Sequence, residues 1–84
     1  MRRSGRWMVL VDDRILEYLR AEGPYTPSKL VEVADLPWGA QHVGNRCREL
    51  ETKEFVRNGG NGVYVITERG EKYLDGEFDA STLD

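Results

Sequence analysis

Apolar residues recur at helical spacing through much of the chain, most regularly in GAQHVGNRCRELETKE at positions 39 to 54. On a wheel of about 3.6 residues per turn, Ala40, Val43, Cys47 and Leu50 fall on one stripe, and Gln41, Asn45, Arg48 and Thr52 fall opposite. The spacing predicts a helix over 40–54 with one face in the core and one face free.

The same pattern places an element on either side. Trp7 to Val11 form an apolar lead-in that should pack on the core or on a second subunit. Asp12 reads as the N-cap of a first helix, with Asp13 at the positive end of its dipole. Ile15, Leu16 and Leu19 form its stripe, Val11 and Tyr18 sit beside it, and Gly23 with Pro24 ends it near Glu22. Thr26 and Pro27, a capping hydroxyl followed by a proline at the first helical position, open a second helix. Leu30, Val31 and Ala34 are its apolar face, to about Ala34 or Asp35, and LPWG at 36–39 breaks the chain before the 40–54 helix. Two helices joined by so short a turn are a helix-turn-helix candidate.

After Glu54 the period changes. Phe55 and Val56 start a strand, RNGGNG at 57–62 carries turn chemistry, and Val63 to Ile66 return. Tyr64 and Ile66 are assigned inward, Val63 and Val65 outward. Thr67 caps a fourth helix from Glu68 to about Asp75, with Tyr73 and Leu74 apolar. Gly70 inside it costs about 1 kcal/mol of helix propensity relative to alanine, which implies a close approach to a strand. The final GEFDASTLD is acidic, with Phe78 and Leu83 as isolated apolar points; docking and a loose tail are both open.

Composition narrows the class. Eighty-four residues, 39% hydrophobic and 32% charged, suit one soluble domain with a modest core. WMVLV is far short of the roughly 20 apolar residues of a membrane span, and charges follow it at once, unlike a secretory leader. The expectation is a cytoplasmic protein with no membrane partner. One cysteine excludes an internal disulfide, and Cys47 with His42 alone makes no zinc site. Cys47 reads as a small core residue; the alternative, a redox-sensing thiol, needs exposure and a lowered pKa. One histidine, one cysteine and scattered carboxylates assemble no nucleophile and base, and NGGNG lies in a hairpin rather than between strand and helix, so neither an enzyme nor a cofactor is expected. A separate domain for a small-molecule effector does not fit in this length.

The net charge of -3 opposes non-specific nucleic-acid binding until its distribution is considered. Residues 1–6 carry +3, 7–39 carry -3, 40–74 carry +1 and 75–84 carry -4. Positive charge therefore gathers at the first residues and around the 40–54 helix. The free face of that helix bears the groups that reach base edges, Asn or Gln to adenine and Arg to guanine, with His42 and Arg46 flanking it. Arg2, Arg3 and Arg6 form an arm expected to be mobile, of a kind that enters a minor groove or lies along phosphates; a solvated tail is the competing reading. At the hairpin tip Arg57, Asn58 and Asn61 are open to nucleic-acid contact, although Asn and Gly there also simply make the turn.

Particular motifs carry a resemblance. LPWGAQHVGNRCRELETKEFV at 36–56 resembles the run LDVSxxxVxxRxRELExxGxV of winged-helix regulators of the multiple-antibiotic-resistance and arsenic-repressor types. YVITERGEKYL at 64–74 is similar to their wing-exit segment. DDRILEYL, NGVYVIT and ERGEKYLDGEFDAS together resemble small winged-helix regulators of halophilic archaea related to a phage repressor, over about residues 11 to 80. The resemblance implies an α+β winged helix-turn-helix: a three-helix core, a two-stranded β-hairpin wing and a short C-terminal helix. The expected division of the chain is a basic arm and apolar lead-in at 1–10, a winged-helix DNA-binding domain at 11–75 and an acidic tail at 76–84.

The same resemblance implies a sequence-specific, double-stranded-DNA-binding repressor, generally a homodimer. Its reading residues would be Gln41, His42, Asn45, Arg46 and Arg48, with Arg57 as the wing contact. Gly39 replaces the usual Ser or Thr cap, Pro37 and Trp38 replace a small turn, and Gly44 replaces a side chain often turned toward DNA. Arg48 has a competing partner in Glu51, an exposed pair worth about 0.2 to 0.5 kcal/mol. The alternative function is a winged-helix protein-interaction module, which the net negative charge and Glu49, Glu51 and Glu54 beside the reading face would favour.

Overall fold

The computed structural model describes Met1–Asp84 and runs α1 (Leu10–Ala21), α2 (Pro27–Val33), α3 (Ala40–Thr52), β1 (Val56–Asn58), β2 (Tyr64–Ile66), α4 (Glu68–Leu74) and a last 3-10 turn, Ala80–Leu83. This is an α+β winged helix, with the hairpin following directly on α3. Val11, Ile15, Leu16 and Leu19 of α1, Leu30 of α2, and Val43, Cys47 and Leu50 of α3 are all buried in one core with Phe55, Val56, Tyr64, Tyr73 and Leu74. The helical stripes read from periodicity are thus largely the buried ones, except that Val31 and Ala34 are half-buried and Ala40, in the first turn of α3, is exposed.

Local chemistry ends the elements much as expected. Thr26 Oγ1 accepts the Lys29 N–H at 3.1 Å with Pro27 first in α2, and Thr67 Oγ1 accepts the Gly70 N–H at 3.2 Å at the start of α4. The start of α1 is a correction. Val9, not Asp12, is the N-cap, and Asp12 lies one turn inside the helix, where its Oδ2 accepts the Val9 N–H at 3.0 Å. The helix begins earlier because Asp12 both returns to that amide and is drawn inward by an arginine of α3.

β1 and β2 pair antiparallel in the register Val56 to Ile66, Arg57 to Val65 and Asn58 to Tyr64. At the tip Asn58 Oδ1 accepts the Gly60 N–H at 2.8 Å, and Gly60, Asn61 and Gly62 take positive φ of 109°, 54° and 74°. Tyr64 is buried as predicted, whereas Ile66 is half-buried like Val63 and Val65. Tyr64 also exchanges two backbone hydrogen bonds with Tyr25, at 2.9 and 3.3 Å, fastening the wing to the loop between α1 and α2. A Cβ on Gly70 would strike the Phe55 carbonyl oxygen and come within 2.8 Å of Ile66 Cγ1, which is the close approach its sequence position implied.

The two ends are not free. Ala80 N–H donates to Arg3 O at 2.8 Å, the Trp7 indole N–H to Ala80 O at 3.1 Å, and the Arg6 N–H to Asp84 Oδ1 at 2.8 Å. Trp7, Phe78 and Tyr73 surround Phe55, with ring centroids 5.4, 5.7 and 5.4 Å away. The expected mobile arm is corrected by this clasp: the first and last segments lie against each other and against Phe55, so burying an aromatic cluster replaces chain entropy that neither end would give up alone.

Candidate nucleic-acid interface

Gly39 caps α3 without a side-chain bond, and the helix then turns Val43, Cys47 and Leu50 wholly inward. Turning that face in leaves Gln41, His42, Asn45, Arg48 and Thr52 exposed on the other side. Arg48 Nη2 donates to Asn45 Oδ1, and no carboxylate lies within salt-bridge distance of Arg48. The competing Arg48–Glu51 pair is therefore not formed; Glu51 instead accepts the Asn58 N–H at 3.4 Å. His42 faces the half-buried Trp38 ring, centroids 6.1 Å apart. Trp38 packs on the core, and Gly44 is buried against α2, 3.7 Å from Pro27 Cγ to a Cβ built on it, so position 44 faces a neighbouring helix and not solvent.

Arg46 does not belong to the free face. Its Nε and Nη2 donate to Asp12 Oδ1 and Oδ2 at 2.9 and 2.8 Å, and Nη2 also donates to Trp7 O at 2.9 Å. Asp12 is 0% exposed. The hydrogen bonds that it donates to Asp12 raise the Arg46 pKa against the opposing effect of burial, so the guanidinium stays charged while forming a two-pronged grip on α1. Its guanidinium is thus engaged in the fold and not turned to the free face, since a buried carboxylate needs that charge. The wheel held a hint, since Arg46 lies between the free face and Leu50, but its partner is 34 residues away in the sequence.

Arg2 of the arm is likewise engaged in the fold: its Nη1 donates to Glu17 Oε2 at 2.6 Å and its Nε donates to Leu74 O at 3.1 Å. Arg3 and Arg6 are exposed and form no salt bridge, yet their backbone is held by residues 79 to 84. On the wing, Arg57 is exposed and unpaired by any carboxylate, Asn58 builds the turn through its Oδ1, and Asn61 supplies a left-handed residue at the tip. Beside Arg57, Glu51, Glu54, Thr67, Glu68 and Arg69 line an open depression of about 440 Å³, which sets three carboxylates at the base of the wing. Cys47 is wholly buried, and burial pushes its thiol up to about 12, the opposite of what a redox sensor requires. No helix is long and apolar enough to cross a membrane.

The structure therefore collects Gln41, His42, Asn45 and Arg48 on one exposed face of α3, with Arg57 on the wing that follows, and withdraws Arg46 and Arg2. Periodicity did not show the Asn45–Arg48 bond or the Tyr25–Tyr64 bridge, because both depend on side-chain or loop placement in three dimensions.

Comparisons with known proteins bear on this arrangement. The crystal structure of the PhiH1 repressor-like protein from Haloarcula marismortui is 43% identical, with a TM-score of 0.93 over 98% of this chain and 93% of that one. A crystal structure described as a hypothetical protein, 15% identical, matches with a TM-score of 0.66 over 80% of this chain and 24% of that one, a likeness of fold alone. No curated protein sequence matches. A family model described as a winged helix-turn-helix phage repressor matches residues 1–84. The chain belongs to the winged helix-turn-helix phage repressor family, and so to DNA-binding regulators in general.

Proposed function

We propose that the protein is a sequence-specific regulator of transcription, acting as a repressor, that sets α3 in the major groove of double-stranded DNA. The observation that carries this reading is the free face of α3, where Gln41, Asn45 and Arg48 stand exposed while the opposite face is buried. Gln41 and Arg48 there present the amide and guanidinium donors and acceptors that distinguish base pairs, with Asn45 between them on the same face. His42 stands at the edge of that face, and Arg57, with Asn58 and Asn61 at the tip, meets the flanking backbone or minor groove. Arg3 and Arg6 add exposed positive charge from the clasped N-terminal segment.

The working unit is a homodimer. Val9 and Leu10 are 47% and 64% exposed beside the half-buried Met8, an apolar patch that a second copy would cover. Two copies would address half-sites about 34 Å apart on a near-palindrome. The setting is the cytoplasm of a halophilic archaeon, in keeping with the 43% identity to the Haloarcula protein.

The test is selection from random duplexes followed by sequencing, repeated at several salt concentrations. Enrichment of an inverted repeat with salt-dependent affinity supports the reading. A folded protein that enriches nothing refutes it and directs the search to a protein partner, for which the carboxylates Glu51, Glu54 and Glu68 at the wing base would be the first surface to examine.

A further inference from the structure

Asn45 and Arg48 are neighbours on α3 at the three-residue spacing that brings side chains together on one face. Arg48 Nη2 donates to Asn45 Oδ1, and Arg48 Nη1 lies 3.8 Å from the place where a Cβ on Gly44 would be. The guanidinium thus lies back toward the turn at Gly44, beside the Pro27 ring that packs there, held on one side by the Asn45 amide oxygen. Both residues are exposed, and no carboxylate competes for Arg48.

An asparagine that reads adenine uses both halves of its amide, donating to N7 and accepting from N6. In Asn45 the accepting oxygen already serves Arg48, so gripping adenine would require sharing or breaking that bond. Arg48 keeps the rest of its five N–H donors, enough for the paired contact to guanine O6 and N7. Holding the long side chain before binding reduces the rotamer freedom it must lose on the DNA.

We propose that Asn45 is a positioning residue that holds Arg48 for a guanine, and that it does not read a base of its own. This rests on the reading of α3 as the DNA-contacting helix and names how that helix chooses one base.

The test measures base preference by selection and sequencing for the wild type, Arg48→Ala, Asn45→Ala, Asn45→Asp and the double alanine variant, with circular dichroism confirming folding. Arg48→Ala should lose about 5- to 160-fold discrimination at one guanine. Asn45→Ala should lose about 3- to 10-fold at that same guanine, and the double variant should be no worse there than Arg48→Ala. Asp at position 45 still accepts from Arg48 but cannot donate to adenine N7, so Asn45→Asp should keep the guanine preference while weakening affinity for every sequence. If Asn45→Ala relaxes a different position, or Asn45→Asp abolishes selection of an adenine, the positioning role is overturned and Asn45 is a reader. A wild type that selects no sequence overturns both this role and the reading of α3.

Discussion

Replacing Arg46 with alanine should destabilise the fold strongly rather than change which DNA is bound. Asp12 is fully buried, and its two carboxylate oxygens rely on Arg46 at 2.9 and 2.8 Å, with only the Val9 N–H remaining once the arginine is gone. Removing one partner of a buried pair costs about 3 to 5 kcal/mol, because the other charge stays behind in a medium that solvates it poorly. Trp7 O would lose its donor too, loosening the segment that covers Phe55. Stability of roughly 0.05 to 0.15 kcal/mol per residue gives a chain of this size about 4 to 13 kcal/mol in all, so the loss takes a large share. Urea unfolding of Arg46→Ala, Asp12→Ala and the double variant at fixed salt gives the coupling between them. The double variant should be more stable than the sum of the single losses predicts, since no charge is stranded. An unfolding free energy for Arg46→Ala within about 0.5 kcal/mol of wild type, the range of an ordinary surface change, would refute this and return Arg46 to the DNA-facing set.

Other expectations follow from the same geometry. Arg57→Ala should weaken binding by a similar factor on all sequences and lower the salt slope by about 1 per protomer, measured by fluorescence anisotropy across a salt series; altered base preference would contradict its backbone role. Gly70→Ala should cost about 1 to 3 kcal/mol in thermal or urea unfolding, because its Cβ meets the Phe55 carbonyl and Ile66, which must move aside. Leu10→Glu should leave circular dichroism unchanged and turn the proposed dimer into a monomer in sedimentation; an unchanged mass would contradict the proposed Val9–Leu10 contact. The Cys47 thiol should resist alkylation at pH 8 until the protein unfolds. Its folded pKa, pushed by burial from about 9 to about 12, also makes the unfolded chain release a proton that the folded chain keeps between those values, so stability should fall as pH rises through that window.

Much of the fold was legible because it depends on short-range rules. A helix that buries one side must space its apolar residues at 3.6, so Val43, Cys47 and Leu50 named their own face, and Thr26, Pro27 and Thr67 marked helix starts through bonds made within one turn. Gly and Asn in NGGNG announced a tip that needs left-handed backbone, and Gly70 announced a close approach.

Tertiary structure alone decided what the charged and terminal residues do. Arg46 and Arg48 are two positions apart on one helix and chemically identical, yet one grips a buried carboxylate of α1 and the other is held by Asn45 at the surface. Arg2, Arg3 and Arg6 read as a free arm, and became part of a clasp only when residues 79 to 84 met them over Phe55. Periodicity records which side of an element avoids water. It does not record which distant group waits on the other side, and for a long, flexible, charged side chain that distant group determines whether the residue stabilises the fold or remains available to a partner.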